Sequence, residues 1–98
     1  MIAIVIKAEI EPDQLHELMQ MCKSWINSNH VPAACLERHV YQDAIFLEEL
    51  LLVEQWSDVV AMNSYLSSDR FRALLGAVKV LGKLLDVRIC ETETIGAG

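Results

Sequence analysis

At 98 residues the chain is long enough for one hydrophobic core, and 53% of it is hydrophobic. The net charge of −6, eight Lys and Arg against fourteen Asp and Glu, excludes the basic face that nucleic acid or an anionic membrane surface requires. The longest apolar runs, IAIVI and ELLLV, are strand-sized and fall well short of the roughly 20 residues of a membrane helix, and no secretory leader is expected at the N-terminus.

Residues 2–10, IAIVIKAEI, read as a buried strand. EPDQ then starts a helix, with Pro12 in its first turn and Asp13 near the positive end of the dipole. Leu15, Leu18, Met19, Cys22, Trp25 and Ile26 follow at helical spacing and predict one buried stripe, ended by NSNH and Pro32. CLERHVYQ at 35–42 reads as a second strand, Asp43 and Ala44 as a connection, and 46–56 as a third strand. Ser57 and Asp58 are both good N-caps for a short helix over 58–66. Another cap signal at 67–69 opens a second run, Phe71, Leu74, Leu75, Val78, Leu81 and Leu85, with Gly82 marking a fraying end. DVRICETE at 86–93 alternates as a last strand, followed by a loose GAG tail.

The order is therefore β-α-β-β-α-β, with the second helical region in two pieces. This predicts an α+β, ferredoxin-like fold: a four-stranded antiparallel sheet with helices on one face. A sheet with one wet face alternates apolar and polar residues. Ile2 to Ile6 and Leu50 to Val53 instead carry apolar side chains on both faces. Helices cover one of them, so a second copy of the chain is expected to cover the other.

Cys22, Cys35 and Cys90 are odd in number, widely spaced and set in apolar patterns, as expected of reduced packing thiols in a cytoplasmic protein. There is no phosphate loop, metal-ligand spacing or Ser/His/Asp arrangement, so neither a metal nor a nucleotide cofactor is expected. Arg70, Arg72, Lys79 and Lys83 form a basic group expected to be a solvated helical face.

Over nearly its whole length the sequence resembles the antibiotic biosynthesis monooxygenases, small proteins of the dimeric α+β barrel fold. The resemblance rests on MIAIVIKAEIEP, on CLERHVYQD and above all on VEQWSDVVAMNSYLSSDRFRALL. Within the last stretch Glu54, Trp56, Leu66, Ser68 and Phe71 occupy the family's places. It implies a single domain over 1–95 with a flexible tail at 96–98, and a homodimer. It also implies a site for a small aromatic ligand between sheet and helices. Cofactor-free oxygenases of this type deprotonate an electron-rich phenol or hydroquinone in an apolar pocket, which calls for a base and polar donors.

On that reading His39 is the candidate base. It is expected on a central strand with Glu37 and Tyr41 on the same face, and a near-neutral pKa would suit proton abstraction. Trp56, Tyr65, Tyr41 and Phe71 are the candidate pocket. Two alternatives stand beside these assignments: Trp56 seals the core, and His39 is a hydrogen-bonded residue of the dimer interface. His16 and His30 are expected to be solvated, Asn63 and Arg70 exposed, and Arg88 paired with an acid on a neighbouring strand. The sequence also departs from its relatives. Quinol-oxidising members often carry histidines in place of Tyr65 and Arg70. Polyketide oxygenases place Asn and Tyr where Leu52 and Met62 stand. Haem degraders have an axial histidine near Leu75, which cannot ligate iron. These departures keep open a non-catalytic binder or structural dimer of the same fold.

Overall fold

A computed structural model describes residues 1–28 and 31–91. Four strands, β1 (Ile2–Ile10), β2 (Cys35–Gln42), β3 (Glu49–Trp56) and β4 (Gly82–Glu91), form one sheet in the order β2-β3-β1-β4. Every neighbouring pair is antiparallel. Three helices, α1 (Leu15–Ile26), α2 (Val59–Leu66) and α3 (Asp69–Leu81), complete the ferredoxin-like α+β arrangement that the pattern predicts.

Strand parity sorts the side chains. Ile2, Ile4, Ile6, Ala8 and Ile10 of β1 are buried together with Leu50, Leu52, Glu54 and Trp56 of β3. Leu18 and Cys22 of α1 and Phe71, Leu74 and Val78 of α3 pack into the same cluster. Odd-numbered Val5 and Val53 and exposed Leu51 and Tyr41 lie on the opposite face. Cross-strand register puts Tyr41 beside Leu51 and His39 beside Val53 there. The face expected to meet a second copy is thus an apolar strip flanked by charge.

Pro12–Gln14 forms a 3-10 turn ahead of α1. The Asp58 carboxylate caps α2 by accepting from Val60 and Ala61 N–H, and the Ser68 hydroxyl caps α3 by accepting from Phe71 N–H. Elsewhere the chain departs from the predicted boundaries. β3 begins at Glu49 rather than 46, because the Asp43 carboxylate accepts from Ile45 and Phe46 N–H and folds that segment into a turn. Ile45, Phe46 and Leu47 are left exposed.

Leu85 is not helical. α3 stops at Leu81, and Gly82 opens β4 directly instead of fraying a helix end. A Cβ at Gly82 would sit 2.2 Å from Glu9 O, so only glycine lets β4 settle against β1 there. Ile26 falls off the buried stripe and is exposed. β2 is an edge strand, so His39 is not central. Arg88 pairs with Asp86 two residues away on its own strand, not with an acid on a neighbour. His30 and the 92–98 tail lie outside the described residues.

Candidate functional site

The register of the two hydrogen-bonded strands sets Arg38 directly across from Glu54 on the helix-covered face. Parity forces Glu54 inward: it shares a face with Leu52 and Trp56 and is fully buried. Arg38 Nε donates to Glu54 Oε2 at 3.0 Å, and Nη1 donates to the Trp25 carbonyl at 2.9 Å in the last turn of α1. Arg38 thereby ties the sheet to α1 and satisfies one of the helix's orphan carbonyls. Its guanidinium also lies 4.9 Å from the Trp25 ring centroid and 5.7 Å from that of Tyr65. Both distances fall within cation–π reach.

A cavity of about 350 Å³ opens beside this group, between α1 and α3. Met21, Trp25, Arg38, Tyr65, Leu74 and Ala77 are among its walls, with Arg70 at the α3 side. The lining is mainly apolar and aromatic with a few cationic or hydroxyl groups, the composition of a small-molecule site. A separate hollow at the other end of the sheet is lined by Glu9, Glu11, Glu48 and Glu49 with Lys83. Its carboxylates would repel an anionic or electron-rich ligand.

Burial pushes the Glu54 carboxyl above its ordinary range, against the opposing pull of Arg38, Tyr65 and Cys35. Burial, reinforced by the Glu54 charge, raises Tyr65 too, so its hydroxyl keeps its proton. Cys35 Sγ lies 3.9 Å from Glu54 Oε2 and is likewise raised by burial first and Glu54 second. Cys22 is pushed up to about 11 by burial, as befits an inert packing thiol. The Tyr65 hydroxyl is close enough to the Glu54 carboxylate and to the Trp25 indole for each to influence its proton. Even so, Glu54 Oε1 and Trp25 Nε1 are buried with no partner at full hydrogen-bond geometry. Trp56 Nε1, enclosed in the core, is a third such atom among the described residues.

The expected site residues divide between the faces. Tyr65 lines the cavity. Trp56 and Phe71 stack behind it, with ring centroids 5.0 Å and 5.3 Å from Tyr65, and both are buried. Trp56 is fully enclosed and acts as core, which was one of its two readings. His39 and Tyr41 lie across the sheet on the open face, rings 5.9 Å apart, with His39 Nε2 3.3 Å from Glu37 Oε2. One protomer therefore does not bring His39 together with Trp56, Tyr65 and Phe71. The sheet itself stands between them.

Arg38 and Trp25 are the site residues that sequence reasoning passed over, and Glu54 was read only as a family position. Parity held the signal: Glu54 sits in phase with Leu50, Leu52 and Trp56, where a charge demands a partner. Arg38 is the residue on β2 that the register delivers. Among the described residues no group of three or more His, Cys, Asp or Glu gathers as a metal site.

Residues 1–76 match the family model described as antibiotic biosynthesis monooxygenase. Among solved structures, a conserved protein from Methanosarcina mazei Go1 is similar, with 26% identity and a TM-score of 0.80. That likeness covers 94% of this chain and 92% of the other. A Deinococcus radiodurans protein named for that same family shares 20% identity at TM-score 0.80, over 100% of this chain and 99% of its own. Rv0793 from Mycobacterium tuberculosis shares 18% at TM-score 0.79, covering 98% of each chain. No curated protein matches the sequence.

Proposed function

The chain belongs to the antibiotic biosynthesis monooxygenase family, and from that premise we propose that it oxidises a small aromatic, a quinol or polyketide-like phenol, with molecular oxygen and no cofactor. The observation that carries this reading is the aromatic and cationic lining of the cavity between α1 and α3, with the buried Arg38–Glu54 pair behind it. A flat phenol fits between apolar walls, and a cation beside the ring stabilises the phenolate that must form before oxygen can react. For a substrate carrying a CH₂ group in the activated ring, the balance is simple. One oxygen atom becomes the new carbonyl, and the other leaves as water with the two hydrogens. A quinol instead gives up two electrons and two protons, and oxygen leaves as hydrogen peroxide.

The reading includes a cytoplasmic homodimer. A second copy covers the strip formed by Val5, Tyr41, Leu51 and Val53, where His39 would sit as an interface residue. Burying that strip accounts for the hydrophobic surplus of so short a chain.

The alternative is a non-catalytic binder of the same fold. It draws support from Leu52 and Met62, which stand at positions where the resemblance implies polar substrate-holding groups and are instead buried in the core. An oxygen electrode, run with a panel of quinols and polyketide-like phenols, decides. Oxygen uptake that disappears in Ala77→Leu, which fills the cavity from a helical position, supports the oxygenase. Saturable phenol binding without uptake supports the binder, and neither binding nor uptake removes the cavity from the function.

A further inference from the structure

The Arg38 guanidinium is anchored from two sides. Its Nε donates to Glu54 on β3 and its Nη1 to the Trp25 carbonyl on α1, so sheet and helix fix it together. A guanidinium carries five N–H donors in one plane, and neither of these bonds uses Nη2. The Trp25 and Tyr65 ring centroids lie 4.9 Å and 5.7 Å from the guanidinium carbon. The side chain is only 9% exposed, yet it forms part of the cavity wall.

Charge in that wall is of one sign. Arg38 from β2 and Arg70 from α3 line it with Ser24 and Ser28, and no Asp or Glu does so among the described residues. Glu54 lies behind Arg38 and takes no part in the lining. The hollow at the other end of the sheet is the reverse, with four glutamates and one lysine. A neutral phenol needs one cation at most, beside the oxygen that ionises. A planar, desolvated fork held in advance is instead the group that recognises a carboxylate, through charge-assisted hydrogen bonds. Resting on the reading of the cavity as a phenol site, we infer that its ligand is a hydroxylated aromatic carboxylate, selected by Arg38.

Anchoring matters for affinity. An arginine free in solvent loses rotamer freedom when it grips a ligand, whereas Arg38 has lost it already on folding. Glu54 is thus a positioning residue, which sets the guanidinium without reaching the wall. Met21, Leu74, Ala73 and Ala77 supply the apolar surface for the ring. The volume of about 350 Å³ is at the low end of small-molecule sites, which run from about 300 to 1,000 Å³. One or two fused rings with a carboxylate suit that space.

The test compares 3-hydroxy-2-naphthoate with 3-hydroxy-2-naphthamide by calorimetric titration of the full-length protein at neutral pH. The two probes share rings, hydroxyl and outline, and differ by one charge. Wild-type protein should bind the acid roughly tenfold tighter than the amide, the factor a charge-assisted hydrogen bond adds over a neutral one. The Arg38→Met/Glu54→Gln double variant removes the cation without stranding a buried carboxylate, and in it the ratio should collapse toward one. If that variant does not fold, Arg38→Lys takes its place. It keeps a charge beside Glu54 but loses the planar fork, and the ratio should fall severalfold. Ala77→Leu, which fills the cavity, should weaken both probes. An acid that binds Ala77→Leu as tightly as wild type sits on a surface cation and overturns the assignment. A preference for the acid undiminished in the Arg38 variants overturns Arg38 as its selector. Wild-type protein that binds the amide as well as the acid overturns the carboxylate class and leaves the phenol reading standing. Binding of neither probe overturns both.

Discussion

Arg38 Nε stands 3.0 Å from Glu54 Oε2, and the two side chains are only 9% and 1% exposed. Such a pair contributes little net stability when intact but leaves a naked buried charge when split. Arg38→Met should therefore cost about 3–5 kcal/mol at neutral pH. The Arg38→Met/Glu54→Gln double variant should recover much of that loss, because both charges are gone. Urea denaturation of the four proteins in the cycle measures the coupling directly. Single losses that simply add would mean the two side chains do not share one electrostatic unit.

Glu54 also fixes a sign for the pH dependence. Its folded pKa is raised, mainly by burial, so the native state binds its proton more tightly than the unfolded chain does. Its stabilising contribution is complete below the ordinary glutamate value of 4.5 and is lost as pH rises through the higher folded value. Glu54→Gln cannot titrate. Wild-type stability minus that of Glu54→Gln should accordingly fall across the window just above the ordinary carboxylate range. Asp43 has its carboxyl lowered by the Phe46 and Ile45 N–H groups and drives the opposite slope, but it is present in both proteins and cancels. A difference that stayed level or rose from acid to neutral pH would contradict the raised value.

Much of this fold is written in short-range pattern. The 2–10 strand, the cap at Asp58 and the double-faced apolar strands need only periodicity and local hydrogen bonding, and each is found where that pattern puts it. The site is a different matter. Glu54 and Arg38 meet because a bulge between Cys35 and Glu37 shifts the β2–β3 register, and no local pattern announces a bulge. His39 looked like a base because alternation with Glu37 and Tyr41 is visible in one strand. Which face that alternation selects depends on the helices, which strand periodicity alone does not reveal. Leu85 kept helical time past Leu81, but contact with Glu9 at Gly82 overrode it.

The two tryptophans should report different events. Trp25 borders the cavity, whereas Trp56 is enclosed behind Tyr65. A hydroquinone or flat phenol should quench fluorescence saturably in Trp56→Phe, where Trp25 remains, and far less in Trp25→Phe. Trp56→Ala should instead act on stability, costing about 3–5 kcal/mol as a large buried aromatic is lost. Quenching that survives Trp25→Phe and vanishes with Trp56→Phe would place the ligand on the wrong side of Tyr65.

Adjacent leucines on β3 separate folding from assembly. Leu52 is fully buried against the helices, and Leu51 is exposed on the open face beside Tyr41. Asp at Leu52 puts a carboxylate into the core with no cation opposite, at a cost of several kcal/mol, a large share of the stability of so small a domain. Leu52→Asp should be insoluble or lack cooperative melting by circular dichroism. Leu51→Asp leaves the core intact and charges only the strip assigned to the second copy. It should keep its far-ultraviolet spectrum while its sedimentation coefficient falls from that of a dimer to that of a monomer. A wild-type protein that sediments as a monomer at micromolar concentration would sink the homodimer outright. Leu51→Asp that stays dimeric would move the interface to another surface, with the exposed Ile45–Leu47 turn the next to be charged.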